Sequence, residues 1–225
     1  MTGFALEWRR RWRLRRTPPG PLHDFLSEPL PNPSTDYRDL EYVAVDLETT
    51  GLDARHDQIL SIGWVRLTGK RIDLSSARHQ LVRVEGDIPA ATAVIHQITD
   101  DLAATGQDLA AALPAFMRDL RGRVMIAHHA RVELTFLGAA CKRLWGQGLL
   151  VRTVDTQAIA QRTLERRQIT FRGSDLRLHA LGERYNLPRY GAHNALSDAL
   201  AAAELFLAQA AHRDSGRGIP LRDLL

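Results

Sequence analysis

Two carboxylates two positions apart are the first residues of this 225-residue chain whose spacing suggests chemistry. Asp46 and Glu48 lie in Val45-Asp46-Leu47-Glu48-Thr49-Thr50-Gly51, at the end of a short apolar, β-branched run. Side chains alternate along a strand, so both acids project from one face. Side by side they repel unless a cation sits between them, and hard carboxylate oxygens suit Mg²⁺ or Mn²⁺. Thr49-Thr50-Gly51 then turns the chain, with a glycine where a substrate can approach the backbone. A further acid, Glu133, lies in AHHARVELTFL (127–137), where a strand gives way to a helix. Taken alone it reads first as a first-turn carboxylate favoured by the helix dipole. The last group is His193 with Asp198, in HNALSDA (193–199). His193 precedes a long helix and Asp198 occupies its early turns. A loop histidine so placed can reach a water held near Asp198, and its pKa near neutrality suits proton transfer. Each motif by itself also reads as ordinary structure: a solvated strand end, a helix cap, a surface histidine. Their occurrence together in one chain is what carries weight.

The elements that must position these residues follow from periodicity. Residues 42–47 form a short apolar run, read as a buried strand. Residues 58–67 and 75–84 read as the next two strands, with Gly69-Lys70 near a turn, which predicts an antiparallel meander. The pattern then becomes helical. Leu109, Leu113, Phe116, Met117 and Leu120 make a helical stripe over 108–121. Strands are predicted at 124–127 and 151–154, and helices at 132–145, 176–185 and 194–211, with Asp155 opening another. The order βββ then αβαβαα predicts an α/β fold: a mixed sheet, with an antiparallel meander plus parallel strands, flanked by helices.

Composition sets the bounds. With 44% hydrophobic and 25% charged residues the chain is globular rather than disordered. Cys141 is its only cysteine, which excludes an internal disulfide framework and a cysteine-built zinc site, and fits a reducing cytoplasm. No apolar run is long enough to span a bilayer. The formal charge of +4 is localised: residues 8–16, WRRRWRLRR, hold six arginines and no acid, so the remainder sums to −2. Residues 1–40 therefore read as a basic, Pro-rich N-terminal extension, 41–212 as the main domain and 213–225 as a short C-terminal tail. The basic segment is expected to attract phosphate, with Trp8 and Trp12 available to stack on bases. Its alternatives are a solvated tail or a segment that docks on a protein or an acidic membrane surface.

The segments VAVDLETTGLD (43–53), AHHARVELTFL (127–137), TVDT (153–156) and HNALSDALAAAELFL (193–207) together resemble the DEDD exonuclease superfamily. The likeness is to its catalytic-histidine subgroup, which includes the epsilon proofreading subunits of bacterial DNA polymerase III, and it covers residues 40 to 212. It implies a ribonuclease-H-like fold and metal-dependent 3′→5′ hydrolysis of nucleic acid to nucleoside 5′-monophosphates, with two divalent ions, Mg²⁺ or Mn²⁺. By position it makes Asp46, Glu48, Glu133 and Asp198 metal ligands and His193 the general base. Leu47, Thr49, Thr50 and Gly51, together with His96 and Ile98 of VIHQIT (94–99), become substrate contacts. The second motif of the family normally reads A-H-N-A-x-F-D. Here His129 replaces the Asn, Val132 the Phe and Glu133 the Asp, so the acid carries one more methylene. Asp155 reads as a structural helix cap, His128 as structural and Phe136 as a core aromatic.

The resemblance favours DNA, presented as single-stranded or frayed 3′ ends, and a cytoplasmic enzyme. A ribonuclease trimming RNA or short oligonucleotides, or a binding module whose catalysis has decayed, remain open alternatives. Only 13 residues follow His212, and no clear polymerase-binding tail is expected among them.

Overall fold

The computed structural model describes residues 3–86, 100–191 and 194–225. Its centre is a five-stranded sheet: β1 (Glu41–Thr49), β2 (Ile59–Thr68), β3 (Ile72–Leu81), β4 (Val124–Ala127) and β5 (Thr153–Asp155), in the order β3-β2-β1-β4-β5. The first three are antiparallel neighbours, and β4 and β5 run parallel to β1. This is the mixed sheet that the sequence predicts. The helices are α1 (Gly3–Leu14), α2 (Pro21–Ser27), α3 (Asp100–Ala104), α4 (Leu109–Leu120), α5 (Arg131–Trp145), α6 (Thr156–Arg166), α7 (Leu178–Arg184) and α8 (Ala195–Arg213).

β1 is central and buried on both faces, which explains its unbroken apolar sequence. Its alternate residues divide between two cores. Val43, Val45 and Leu47 pack with α2, α4 and α5, through Leu26, Phe116, Met117 and Phe136. Tyr42 and Ala44 face the other way, onto Ala203, Phe206 and Ala210 of α8. By the same alternation Asp46 and Glu48 extend the row that faces α8.

Both chain ends are part of this packing, which corrects their description as an extension and a tail. Leu22 and Leu26 of α2 are fully buried, and so are Leu221 and Leu224. Arg10 of α1 is itself buried and donates to the Leu26 carbonyl. The segment before β1 is stitched to residues 219–222 by backbone bonds, among them Tyr37 N–H to the Ile219 carbonyl (2.9 Å) and Leu221 N–H to that of Thr35 (2.9 Å). Prolines mark this path because its residues run extended beside the domain rather than away from it. Among the described residues no helix is long and apolar enough to cross a membrane.

Candidate active site

A glycine brings the site together. Gly63 of β2 pairs with Asp46 of β1, and the start of α8 lies directly against it. A Cβ at position 63 would stand 2.1 Å from both the Ala195 carbonyl carbon and the Leu196 nitrogen. Only a residue without a side chain lets the α8 backbone come this close. The α8 N-terminus is fixed by Asn194, whose side-chain oxygen accepts from the Leu196 and Ser197 amides, both at 3.2 Å. This is an ordinary N-cap that satisfies orphan donors of the first turn. Asp198 follows one turn later and meets the two acids of β1. One carboxylate oxygen from each of Asp46, Glu48 and Asp198 lies within 4.8 Å of the others.

The cluster is electrostatically loaded. Glu48 is buried, and burial together with the charge of Asp198 lifts its pKa to about 8. Asp46 is held well above the usual carboxylate range, first by loss of solvent and then by Glu133, Glu48 and Asp198. Glu133 is only 3% exposed and is likewise raised to about 8, chiefly by burial, with Asp155 and Glu48 adding to it. It acts on the cluster from the other helical layer, since α5 packs on the opposite sheet face. Its oxygen lies outside the 4.8 Å grouping of the other three. Its Oε2 is buried and accepts no hydrogen bond from the described residues.

Asp155 positions Glu133. Its carboxylate caps α6 by accepting from the amides of Gln157 (2.9 Å) and Ala158 (3.2 Å). It also accepts from the amides of His129 (3.1 Å) and Ala130 (3.0 Å), in the turn that launches α5. The cap is as predicted from sequence; the second pair of bonds is not visible there. His129 has φ 61°, a left-handed conformation in which Asn and His are both enriched, so the exchange of one for the other at this position is sterically reasonable. His128 is structural. Its Nε2 donates to the Leu176 carbonyl at 2.9 Å, its Nδ1 accepts from the Thr156 hydroxyl at 2.8 Å, and burial lowers its pKa to about 4.

The residues after Glu48 are mostly engaged in their own turn. Leu47 points into the core opposite the acids. The Thr49 hydroxyl donates to the Gly51 carbonyl (2.6 Å), and the Thr50 hydroxyl accepts from the Gln58 amide (2.9 Å). A Cβ on Gly51 would strike the Asp57 carboxylate at 2.5 Å, so the glycine is required first by the loop itself. Phe136 is a core residue. His193, His96 and Ile98 lie outside the described residues.

Sequence reasoning missed Gly63 and the double role of Asp155. An isolated glycine within the strand ILSIGWVRLT was the available signal for the first, since it marks close backbone approach. Nothing local signals the second, because its partners are 25 and more residues away in sequence.

The sheet thus brings acids of β1 and α8 together, with a further buried acid on α5. The family model described as Exonuclease (RNase_T) matches residues 43–206. The chain is 33% identical over 180 residues to the DNA polymerase III subunit epsilon of Treponema pallidum, covering 79% of this chain and 80% of that protein. It is 29% identical over 171 residues to the PolC-type DNA polymerase III of Thermotoga maritima, but spans only 12% of that polymerase. Among solved structures, Exonuclease X in complex with 5′ overhanging duplex DNA aligns with a TM-score of 0.60 at 20% identity, over 81% of this chain and 98% of that one. The nuclease domain of 3′hExo, a DEDDh family member bound to rAMP, aligns with a TM-score of 0.66 at 15% identity, over 80% and 96%. These two share the fold. The chain belongs to the exonuclease family, as a 3′→5′ exonuclease.

Proposed function

We propose that this site hydrolyses the terminal phosphodiester at a nucleic-acid 3′ end, DNA in preference to RNA, and releases nucleoside 5′-monophosphates. Asp46, Glu48, Asp198 and Glu133 would hold Mg²⁺ or Mn²⁺. The observation that carries this is the convergence of three carboxylates within 4.8 Å. Two further features fit a cation: acids raised to about 8 by burial and mutual repulsion, and a buried Glu133 oxygen that accepts no hydrogen bond from the described residues. The donor set is all carboxylate, which favours a hard ion. When bound, such ions neutralise phosphate charge and acidify a water.

The chain supplies the rest. His193, five residues before Asp198, takes the proton of the attacking water. Asn194 and Gly63 fix the start of α8 and so hold Asp198 at the β1 acids. Asp155 holds the turn that aims Glu133. The preference for DNA, with single-stranded or frayed 3′ ends as its form, is supported by relatives named as a PolC-type DNA polymerase III and a DNA polymerase III subunit epsilon. An RNA substrate has one observation in its favour, the likeness to 3′hExo, described as bound to rAMP. A cytoplasmic location is supported by the single, buried, free cysteine.

Matched 3′-labelled DNA and RNA oligonucleotides, incubated with Mg²⁺, Mn²⁺ or EDTA, test the proposal. Mononucleotides with 5′-phosphates should appear only with metal, faster from DNA. His193→Ala should slow this by on the order of 10²–10⁴-fold. Full turnover after metal stripping refutes the metal role, a faster RNA reaction reassigns the substrate, and no turnover in either metal leaves a binding module.

A further inference from the structure

The basic N-terminal helix has two faces with different uses. The inner face is spent on folding. Leu6 and Leu14 pack against the core. Arg10 bonds Glu7 (Nη2 to Oε1, 2.6 Å) and the Leu26 carbonyl, and Arg13 donates to the Gly148 carbonyl at 2.7 Å. Two of the six arginines are thus structural. Arg10 holds Glu7, the single acid between residues 3 and 20, well ionised with a pKa of about 2.

The outer face carries what remains. Trp8 is 65% exposed and Trp12 42% exposed, and they sit one turn apart. Arg9, Arg11, Arg15 and Arg16 are exposed around them, and the Arg16 guanidinium lies 3.8 Å from the centre of the Trp12 ring. Two large indoles in water are costly, and nothing in the packing of the domain requires them there. Aromatic faces interleaved with arginines are the chemistry that binds single strands: rings stack on bases while guanidinium groups neutralise phosphates.

The place of this face in the fold gives it a strand to hold. Glu133 and Trp145 lie on the same helix, α5, twelve residues and therefore about 18 Å apart. Immediately beyond Trp145, Gly148 receives the Arg13 bond that seats α1. A single strand with its 3′ end at the acids, whose nucleotides each span at least the roughly 3.4 Å of a stacked helix and about twice that when extended, thus reaches α1 after about three to five nucleotides. Charge agrees with that path. The acidic cluster repels phosphate when no cation is present, whereas α1 attracts it.

We propose that the Trp8–Trp12 face of α1 is a second nucleic-acid site, which grips a single strand upstream of the 3′ end being cleaved. This rests on the nucleic-acid reading of the acidic site, so binding and turnover are measured separately.

The test uses the full chain and two double variants, Trp8→Ala/Trp12→Ala and Arg15→Gln/Arg16→Gln, with thermal melting as a control of folding. Binding of 5′-labelled dT2 and dT20 is followed by fluorescence anisotropy in EDTA, where no hydrolysis occurs, from low to physiological salt. The tryptophan variant should bind dT20 at least about 10-fold more weakly, since a stacked base contributes about 5- to 150-fold. The arginine variant should flatten the log–log salt dependence by up to about 1.4, or 0.7 per phosphate released. Affinity for dT2, and turnover of dT2 with Mg²⁺, should be unchanged, because two nucleotides do not reach α1. Unchanged dT20 affinity and salt slope in both variants overturn the proposal. So does an equal loss on dT2 and dT20. Wild-type binding to phosphatidylserine vesicles that the tryptophan variant loses, with dT20 affinity intact, assigns the face to an anionic membrane instead.

Discussion

Replacing Gly63 with alanine should separate folding from catalysis. The new Cβ would stand 2.1 Å from two backbone atoms, at Ala195 and Leu196, neither of which can rotate aside. Ordinary van der Waals contact begins near 3.4 Å, so the start of α8 must retreat by about 1.3 Å. Asp198 lies within the first turn of that helix and moves with it, while Asp46 and Glu48 stay on β1. A misplacement of about 1 Å at a catalytic group costs on the order of 10²-fold in rate. Overpacking of this kind costs about 1–3 kcal/mol, which a domain of ordinary stability survives at 25 °C. The assay is kcat for a 3′-labelled oligonucleotide across a Mg²⁺ titration, with thermal melting in parallel. The variant should be folded, slower by roughly two orders of magnitude, and half-saturated at higher Mg²⁺. Gly138→Ala is the control. Its Cβ meets nothing within 4 Å on α5, so it should keep the full rate and gain up to about 1 kcal/mol of stability from helix propensity. A Gly63→Ala protein with wild-type rate and metal requirement would refute the view that this close contact sets the position of Asp198.

In EDTA, stability should fall as pH rises from about 5 to 8. Glu48 and Glu133 titrate near 8 when folded, against 4.5 for a glutamate free in water, so the folded state holds the extra protons across that window and loses ground as they leave. Melting temperatures at pH 5.5 and 8 check this, and saturating Mg²⁺ should remove the difference. Glu133→Ala should nearly abolish turnover, whereas Glu133→Asp should keep or raise the Mg²⁺-supported rate; near-wild-type kcat for the alanine variant would make Glu133 a helix-terminus residue only. Asp155→Ala removes the acceptor of four backbone amides and should lower stability by about 1–3 kcal/mol while also slowing turnover, measured by denaturant unfolding and by kcat. A chain beginning at residue 39 should fail to melt cooperatively by circular dichroism. It lacks Leu22, Phe25 and Leu26, each worth about 1.5–3 kcal/mol of burial, a sum comparable to the whole stability of a domain.

Sequence alone was most informative where local pattern and chemistry coincide. The β1 run, the D-x-E spacing and the stripe of α4 are period-two and period-3.6 signals, and the strands and helices expected from them start within about three residues of their observed places, whereas α2 and α3 were not foreseen. Asp155 announced itself as a cap because an Asp before a helix has few other uses. What escaped is what depends on distant partners. The buried side of α1 is hidden in the sequence because Arg10 and Arg13 are charged, yet both are consumed by backbone carbonyls elsewhere in the chain. Leu221 and Leu224 lie in a short polar stretch with no periodicity, and only the strand-like pairing with residues 33–37 draws them inside. The bonds within the turn after Glu48, from Thr49 to the Gly51 carbonyl and between Thr50 and both Asp57 and Gln58, were likewise not visible in the sequence.

The order of the strands also has a consequence for how the chain acquires its shape. β1, β2 and β3 are joined by short connections and form a local meander, so Asp46 and Glu48 are placed by contacts between near neighbours in sequence. Asp198 lies 152 positions beyond Asp46 and arrives only when α8 docks on that meander. Contacts of such long range are slow to form, because loop closure is paid before they return anything. The step that closes the core is therefore also the step that forces like charges together. A divalent ion held by the assembled carboxylates would favour this docking over the meander alone, and so would link metal binding to stability.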